Sequence, residues 1–334
     1  MNNTFLTVAI PFYNGFETTK LIVNELVSKN DENYEILISD DCSNESQYIS
    51  LKNYINSNYP NSNIRLFRNL SNLGMDLNFQ KCIELSKSKY TWFMGQDDFI
   101  LKSKLLKVIS YLNNYKPNIA YLNYEIQRTW NYNKKFIHTK NLSLESGENI
   151  DLFHKATRGN LPHFLPSLVV KTSLWPESKI TSLFYDTYFV QLGAFLHILA
   201  TQKKWLYIGE PMSLGSIPED GWQSSVEKKI KIYAGFMKCV KISYDLNANL
   251  INIYKYQYNK NTYQHISLSI EGKICRNKEL INILKDKSIF TNKYIQLTRL
   301  IEYTPFFFLN LFIKSRKLYF KTIHLLNYLK RTNS

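Results

Sequence analysis

The sequence contains little glycine, proline or cysteine. Its 11 glycines and 9 prolines among 334 residues follow no repeat, which excludes collagen-like and linker-like chains. The four cysteines form no C-x-x-C pair, so neither a disulfide framework nor a zinc knuckle is encoded, and we expect reduced thiols in the cytosol. No basic and apolar leader follows Met1, and we expect no signal peptide. The 44% hydrophobic composition supports one large α/β domain with an appendage, or two small domains.

The positive charge is concentrated in the last third of the chain. The formal net charge is +15, and residues 226–334 contain 20 Lys and Arg but only 6 Asp and Glu. This asymmetry predicts a near-neutral body, residues 1–225, that could carry the chemistry, and a cationic helical region, residues 226–334, that could hold the body against an anionic partner. We expect no nucleic acid as that partner, because the region has no helix-turn-helix, ribonucleoprotein or zinc signature.

The end of this basic region combines aromatic and cationic residues. The apolar run at 305–313, PFFFLNLFI, precedes the basic cluster at 314–317, and it is far shorter than the roughly 20 residues that a membrane-spanning helix needs. The combination is typical of a helix that lies on an anionic membrane surface. An ordinary helical bundle with a solvated basic face is the alternative.

The patterns of the first 115 residues alternate between strand and helix. Short β-branched apolar runs predict four strands, and amphipathic spacing predicts a helix after each one. The strands are expected at 5–12, 34–39, 64–67 and 90–95, and the helices at about 17–29, 46–58, 76–88 and 103–114. Later strands are expected at 119–128, 164–171 and 205–208, with a helix at 183–202. The order predicts an α/β fold with a mostly parallel sheet flanked by helices, whose ligands bind outside the carboxyl ends of the strands.

Two pairs of acidic residues follow strands at that edge. They are Asp40-Asp41 and Asp97-Asp98, and a single such pair more often forms a turn or a helix cap. Two neighbouring pairs need a positive partner, and a divalent cation with oxygen ligands is the usual one. Such a cation would also bind phosphate oxygens, which makes a nucleoside diphosphate the natural ligand. The sequence has no P-loop and no G-x-G-x-x-G fingerprint, which excludes the common NTPase and dinucleotide-binding sites.

Four motifs together resemble the family 2 inverting glycosyltransferases, which have the GT-A fold with its Rossmann-like sheet. The motifs are VAIPFYN at 8–14, ILISDDCS at 36–43, NLSNLG at 69–74 and WFMGQDD at 92–98. Their order over about 100 residues makes the resemblance specific. It covers about residues 5–220, most strongly to 115, and the stretch 72–100 is also similar to the branch that includes bacterial O-antigen sugar transferases such as abequosyltransferases.

The resemblance implies a nucleotide-sugar site. Asp41 matches the family aspartate that hydrogen-bonds the nucleobase, and Asp97 matches the one that contacts the ribose. Asp98 would coordinate Mn²⁺ or Mg²⁺, although Gln96 stands where many members have Asp and so brings strict metal dependence into question. Five further residues would line the base pocket or approach the nucleotide, namely Pro11, Tyr13, Asn14, Asn72 and Gly74.

The resemblance also implies a carboxylate that takes the proton from the acceptor hydroxyl. Between Asp151 and Trp205 the only acidic residues are Asp151, Glu177 and Asp186. We expect Asp186 to be the base, because we place it at the start of a helix after an aromatic run, where low-polarity neighbours could raise its pKa. A simple N-cap role for Asp186 and a base at Glu177 stay open.

Two other features of this part of the chain have an ordinary and a functional interpretation. His197 lies in an apolar helical pattern and is expected to be a core histidine rather than a metal or phosphate ligand. The loop 215–222 could close over the donor as a lid, or it could be an exposed interdomain loop.

The predicted function is therefore sugar transfer in bacterial surface-polysaccharide synthesis. The partners would be a nucleotide-sugar donor and a glycan or lipid-linked oligosaccharide acceptor. We expect a cytoplasmic protein, peripheral at the inner face of an anionic cell membrane, and the helical region could pair with a second copy. The alternatives are a nucleotide-sugar binder without catalysis and a basic protein that binds nucleic acid or membrane.

Overall fold

The first half of the chain forms the predicted strand-helix alternation. The structure is a computed structural model that describes residues 4–27, 33–128, 135–217 and 224–305. The first strands are β1 (Leu6–Phe12), β2 (Tyr34–Asp40), β3 (Ile64–Arg68) and β4 (Tyr90–Phe93). The helices that follow them are α1 (Phe16–Leu26), α2 (Glu45–Asn58), α3 (Met75–Leu85) and α4 (Lys102–Tyr115). Each predicted element is present, with ends that differ by a few residues.

The second half completes the sheet. It contributes β5 (Ile119–Arg128), β6 (Lys135–Ile137), β7 (Leu144–Gly147), β8 (Leu168–Lys171) and β9 (Trp205–Ile217). Its helices are α5 (Ile150–Ala156), α6 (Ser178–Thr181) and α7 (Val190–Gln202). The strand order is β3-β2-β1-β4-β8-β5-β9-β7, with β6 paired to β5.

The sheet is mixed, yet most of its strands run in one direction. Strands β1 to β4 pair in parallel, and β8 lies antiparallel between β4 and β5. Strand β9 runs parallel to β5, so β1 to β5 and β9 point the same way. Every position of β2 and β4 is buried, as expected for central strands with helices on both faces. The loops after β1, β2 and β4 therefore meet at one carboxyl edge.

The structure differs from the predicted elements on either side of α6. Residues 165–167 form a short 3₁₀ turn, so the predicted strand 164–171 begins only at Leu168. The predicted helix 183–202 begins at Val190, with Phe189 as its N-cap residue. The reason is local, because Asp186 and Tyr188 have φ angles of 63° and 66°, in the left-handed region that a right-handed helix cannot use.

The chain divides into two compact units. The first contains the residues up to Ser224 together with Gly235–Tyr258, and the second contains Ser225–Ala234 together with the residues from Asn259 onward. The helices between residues 226 and 303 are α8 (Val226–Leu246), α9 (Ile251–Ile274), α10 (Lys278–Ile283) and α11 (Asn292–Tyr303). Two independent domains, 1–225 and 226–334, stay a prediction.

The described part of the second unit is helical and has a buried histidine. The His265 ring nitrogen Nε2 lies 2.8 Å from the Thr298 hydroxyl, and burial lowers the pKa of His265 to about 4. Among the described residues, none of the helices is both long and apolar enough to cross a membrane. The predicted membrane-surface segment at 305–313 lies outside the described residues beyond Pro305.

Candidate active site

The loop after β4 is tied to the loop after β1. The side-chain amide of Gln96 accepts a hydrogen bond from the Tyr13 backbone N–H at 2.8 Å and donates one to the Tyr13 carbonyl at 3.1 Å. A carboxylate in this position could accept the first bond but could not donate the second. Gln96 therefore holds the Tyr13 backbone in place, and both ends of its amide are already engaged.

The two acids that follow Gln96 have different surroundings. Asp98 is 9% exposed, and its carboxylate lies against Gly95 so closely that a Cβ atom at Gly95 would overlap it. Tyr124 pairs with Ser213 of β9, and the next residue of β9, Leu214, pairs with Phe99 directly after Asp98, so Tyr124 lies close to this loop. Burial, with a contribution from the charge of Asp98, raises the pKa of Tyr124. Asp97 is exposed and accepts a hydrogen bond from the Thr18 hydroxyl at 3.2 Å. Asp98 is thus the more tightly positioned acid of the pair.

Asp41 holds the turn that follows β3. Its Oδ1 accepts hydrogen bonds from the Asn69 side chain at 3.0 Å and from the Leu73 N–H at 2.8 Å, and its Oδ2 accepts one from the Gly74 N–H at 2.9 Å. The Asn72 side chain also accepts from the Gly74 N–H, at 3.0 Å. Gly74 has a φ of 83°, which favours glycine. A carboxylate has about four acceptor positions. Three are used here, so one position on Asp41 Oδ2 is left for a further donor.

The remaining predicted residues at this edge also join neighbouring loops. Asn14 has a φ of 53°; its N–H donates to the Ser43 hydroxyl at 2.9 Å, and its side chain accepts from the Asn44 N–H at 2.8 Å. Pro11 faces Ser39 in the β1–β2 register. We call the loops 13–15, 41–44, 69–74 and 95–98 the donor edge. The structure thus brings the predicted nucleotide residues together on four adjacent loops and the end of β1.

Asp186 does not occupy the place that the sequence suggested. It precedes α7 by a full turn, so it neither opens the helix nor serves as its N-cap, and its side chain is exposed rather than surrounded by the aromatic run. Those two expectations are wrong, because the chain adopts left-handed conformations at 186 and 188 before the helix begins. We call residues 185–189 the Asp186 turn.

Asp76 holds the Asp186 turn. This acid lies in the first turn of α3 and is 7% exposed, and its two carboxylate oxygens accept the Tyr188 N–H at 3.0 Å and the Val190 N–H at 3.1 Å. Burial raises the pKa of Asp76, with a further increase from the charge of Asp186, while the backbone N–H groups oppose the shift. Because α3 begins next to Gly74, Asp76 connects the Asp186 turn to the donor edge.

Sequence reasoning missed Asp76. An acid in the first turn of a helix is ordinarily explained by the helix dipole and the unpaired N–H groups there. Here its carboxylate instead satisfies N–H groups at the start of a different helix, more than 100 residues later. The one available signal was the position of Asp76, two residues after Gly74 of the third motif.

The other candidates from the sequence lie in different settings. Glu177 is exposed and forms an ion pair of 3.0 Å with Lys179. His197 lies on α7, where burial lowers its pKa and its Nδ1 is 3.5 Å from the Asn247 amide. The predicted lid, 215–222, falls largely outside the described residues, because 218–223 are not described.

The acids of the donor edge suit a cation whose remaining ligands come from the bound substrate and from water. In the described part of the chain, no three His, Cys, Asp or Glu side chains form a metal-binding group. Mg²⁺ and similar ions, however, are commonly held by one or two carboxylates together with substrate phosphates and water. Asp98, fixed against Gly95 at the sheet edge, is suited to that kind of site.

Comparisons with known proteins agree with the motifs and the topology. The family model described as glycosyl transferase family 2 matches residues 7–168. The abequosyltransferase RfbV of Salmonella typhimurium is 23% identical over 260 residues, which are 74% of this chain and 77% of that protein.

Solved structures share the fold. S. aureus TarS 1–349 in complex with UDP-GlcNAc superimposes with a TM-score of 0.64 at 15% identity, covering 90% of this chain and 88% of that one. The mannosyltransferase PcManGT from Pyrobaculum calidifontis, in complex with GDP-Man and Mn²⁺, gives a TM-score of 0.54 at 10% identity, with 89% and 79% of the two chains covered.

Proposed function

We propose that this protein, a glycosyltransferase of the GT-A fold whose residues 7–168 match the glycosyl transferase family 2 model, moves a sugar, with inversion, from a nucleoside-diphosphate sugar to a glycan acceptor. The observation that carries the proposal is the pair of hydrogen bonds that Asp76 accepts from the Tyr188 and Val190 N–H groups, which hold the Asp186 turn. It holds an exposed carboxylate beside the helix that starts at the donor edge. A candidate base close to a candidate nucleotide site suits direct transfer of the sugar from the nucleotide to the acceptor.

The donor edge would bind the nucleotide. Asp41 keeps one acceptor position at Oδ2, and an imide N–H or an amino group of a nucleobase would fill it. The turn at Asn72 and Gly74, which Asp41 fixes, would then lie against the nucleoside, and Asp97 would reach the ribose. Pro11, Tyr13 and Asn14 would form the floor of the base pocket. A fold neighbour solved with UDP-GlcNAc supports a nucleotide sugar as the donor.

Asp98 would hold a divalent cation, Mn²⁺ or Mg²⁺, against the diphosphate. Such an ion stabilises the negative charge that develops on the leaving group. Gln96 would take no part as a ligand, because its amide is bound to the Tyr13 backbone. A fold neighbour solved with Mn²⁺ supports the cation.

Asp186 would serve as the general base. The acceptor hydroxyl attacks the anomeric carbon from the face opposite the diphosphate, the bond from that carbon to the diphosphate oxygen breaks, and the hydroxyl proton passes to the Asp186 carboxylate. The exposure of Asp186 suits this role, because a large glycan must reach it. The tie to Asp76 suits it too, since proton transfer requires a fixed distance.

We place the reaction in bacterial surface-polysaccharide synthesis, with a glycan or lipid-linked oligosaccharide as the acceptor. The abequosyltransferase relative supports that class of pathway. The protein would work in the cytoplasm, peripheral to the inner face of the membrane, with residues 226–334 supplying positive charge toward anionic lipid. This region could also pair two copies of the chain.

The experiment is thermal unfolding with UDP, CDP, dTDP and GDP, each with and without Mn²⁺. A ligand that binds only the folded state raises the melting temperature, so the acceptor need not be known. We expect one nucleotide to stabilise the protein in a Mn²⁺-dependent way, and Asp98→Ala to lose that effect. Asp151→Ala removes a distant acid and is the matched control.

Two results would contradict the proposal. The absence of stabilisation by any of the four nucleotides would leave the donor edge without its ligand. Stabilisation without any turnover of the matching nucleotide sugars, and an Asp186→Ala variant with normal function in cells, would instead indicate a nucleotide-sugar sensor that has no catalysis.

A further inference from the structure

Five aromatic rings form a continuous row in the first unit. The Tyr124 and His138 rings stack at 4.5 Å with an interplanar angle of 12°. His138 then contacts His163 edge-on at 5.6 Å, His163 contacts Phe236 at 5.9 Å, and Phe236 contacts Phe189 at 5.7 Å. We call these five residues the aromatic row. Stacked geometry for the first pair and edge-to-face geometry for the other three are both favourable at these spacings.

The two ends of the row meet the two parts of the proposed site. At one end, Tyr124 pairs with Ser213 of β9, and the next residue of β9, Leu214, pairs with Phe99 directly after Asp98. Tyr124 is also close enough to Asp98 to feel its charge. At the other end, Phe189 belongs to the Asp186 turn and precedes Val190, which Asp76 holds. The row therefore runs from the acid proposed to face the diphosphate to the turn that carries the proposed base. The sugar that is transferred must lie between those two groups.

The middle of the row is open to solvent, and its ends are buried. Tyr124 is 1% exposed and Phe189 is 8% exposed. His163 is exposed, and His138 and Phe236 are half-buried. A ligand that passes from one end to the other would meet the rings of these three residues.

The open rings rest on a rigid support. The His138 N–H donates to the Tyr124 carbonyl at 2.9 Å, and the buried Asn123 side chain binds both the N–H and the carbonyl of Thr139, at 3.1 Å and 2.9 Å. The His163 N–H donates to the Leu161 carbonyl at 2.9 Å. A surface that is already ordered loses little entropy when a ligand binds.

We propose that the open part of the aromatic row, His138, His163 and Phe236, binds the pyranose ring of the donor sugar. This inference rests on the proposed function. A pyranose has faces lined with C–H groups, which pack on aromatic rings. We assign the donor sugar rather than the acceptor because that sugar is attached directly to the diphosphate, next to the Tyr124 end. The three rings carry no carboxylate, so the surface suits a neutral sugar.

Saturation-transfer NMR tests the assignment. The probe is the glucose conjugate of whichever nucleoside diphosphate stabilises the wild type. His163→Ala is the main variant, because an exposed side chain can be removed with little effect on folding. Phe236→Ala is the second variant. Tyr115→Ala is the matched control, since Tyr115 is a 38% exposed ring at the end of α4, before β5 and hence at the opposite edge of the sheet.

The expected result separates the two halves of the ligand. In His163→Ala, at a ligand concentration that saturates both proteins, the pyranose proton signals should fall about fivefold relative to the nucleoside proton signals, because one of the rings that contact the pyranose is gone. The nucleoside proton signals should stay as in the wild type, and Tyr115→Ala should change neither set. Unchanged pyranose signals in folded His163→Ala and Phe236→Ala would overturn the proposal. A variant that changes only the KM for the acceptor would also overturn it, because the row would then belong to the acceptor.

The test also distinguishes failure of the inference from failure of the proposed function. If no nucleotide binds the wild type, the proposed function fails, and the row is then probed with methyl glucopyranoside alone. A pyranose signal that is present in the wild type and lost in His163→Ala would still support a sugar-binding surface. Equal signals in the two proteins, or none in either, would overturn it.

Discussion

The donor edge and the Asp186 turn are held in different ways. At the donor edge several hydrogen bonds between neighbouring loops act in parallel, such as the two between Gln96 and Tyr13 and the three that Asp41 accepts. The Asp186 turn combines two left-handed residues with a tie to one distant carboxylate, that of Asp76. The comparison teaches that the loops of the donor edge should keep their conformation when a single tie is lost, whereas the placement of the base should depend strongly on Asp76.

The largest effect should come from the proposed base itself. Asp186→Asn should lower kcat about 10³-fold, the usual contribution of a general base, and should leave stabilisation by the nucleotide unchanged. Steady-state kinetics and thermal unfolding measure the two quantities. Glu177→Gln is the matched control, and its kcat should stay within about twofold of the wild type. A loss of activity in Glu177→Gln alone would move the base to Glu177.

Asp76→Asn should have the next largest effect. The amide places an N–H₂ group against a backbone N–H where the carboxylate accepted a bond, so the Asp186 turn should shift. A displacement of about 1 Å can cost about 10²-fold in rate, and we expect that loss in kcat with little change in the nucleotide shift.

Asn149→Ala is a suitable control for Asp76→Asn. Asn149 also accepts two backbone N–H groups, at 2.7 Å and 3.1 Å, at the start of α5. Its loss should destabilise the fold by about 1 kcal/mol and leave kcat unchanged. Equal losses of activity in both variants would mean that Asp76 contributes stability alone.

Gly95→Ala should have a moderate effect on the donor edge. The new Cβ would overlap the Asp98 carboxylate, so Asp98 must rotate away from the position proposed for the cation. We expect the affinity for the nucleotide in the presence of Mn²⁺ to fall about tenfold, which is typical when the surroundings of a metal ligand are disturbed. The affinity in the absence of Mn²⁺ should change less. Titration calorimetry measures both. In Gly272→Ala the Cβ would meet the ends of the Ile281 and Ile230 side chains, at 3.1 Å and 3.3 Å, and binding should be unchanged.

The smallest effect should be a change in stability with pH. Burial raises the pKa of Asp76 in the folded protein, with Asp186 adding to the shift, and the Cys239 thiol also lies close enough to feel the Asp76 charge. The folded state therefore holds the proton more tightly than the unfolded state. The corresponding stability is present below the ordinary aspartate pKa and is lost as pH rises through the raised pKa.

The melting temperatures of wild type and Asp76→Asn test this sign between about pH 4 and about pH 7. The wild type should lose stability relative to the variant as pH rises through that interval, because the variant has no group to titrate there. Asn149→Ala should follow the wild type. Parallel curves for wild type and Asp76→Asn would show that the pKa of Asp76 is not raised.

Sequence patterns predicted the first half of the molecule well. The four strands, their helices and the fold were confirmed, because a buried strand and an amphipathic helix are each encoded by residues that are close in the chain. The second half was less predictable. Aromatic and apolar spacing suggested a helix from 183, but the left-handed residues Asp186 and Tyr188 delay it until Val190, and nothing in the local pattern indicates that conformation.

The sequence by itself determined the resemblance to the family 2 glycosyltransferases, the order of the elements and the acids that follow β2 and β4, since each motif is a short segment with its own strand and turn. Only the tertiary structure decided which acid is buried, what holds Asp186, and that rings from residues 124 to 236 form one row. The physical reason is the insertion of β8 between β4 and β5 and the contact of α3 with the start of α7. Both join residues far apart in the chain, and such contacts leave no periodic trace in either segment.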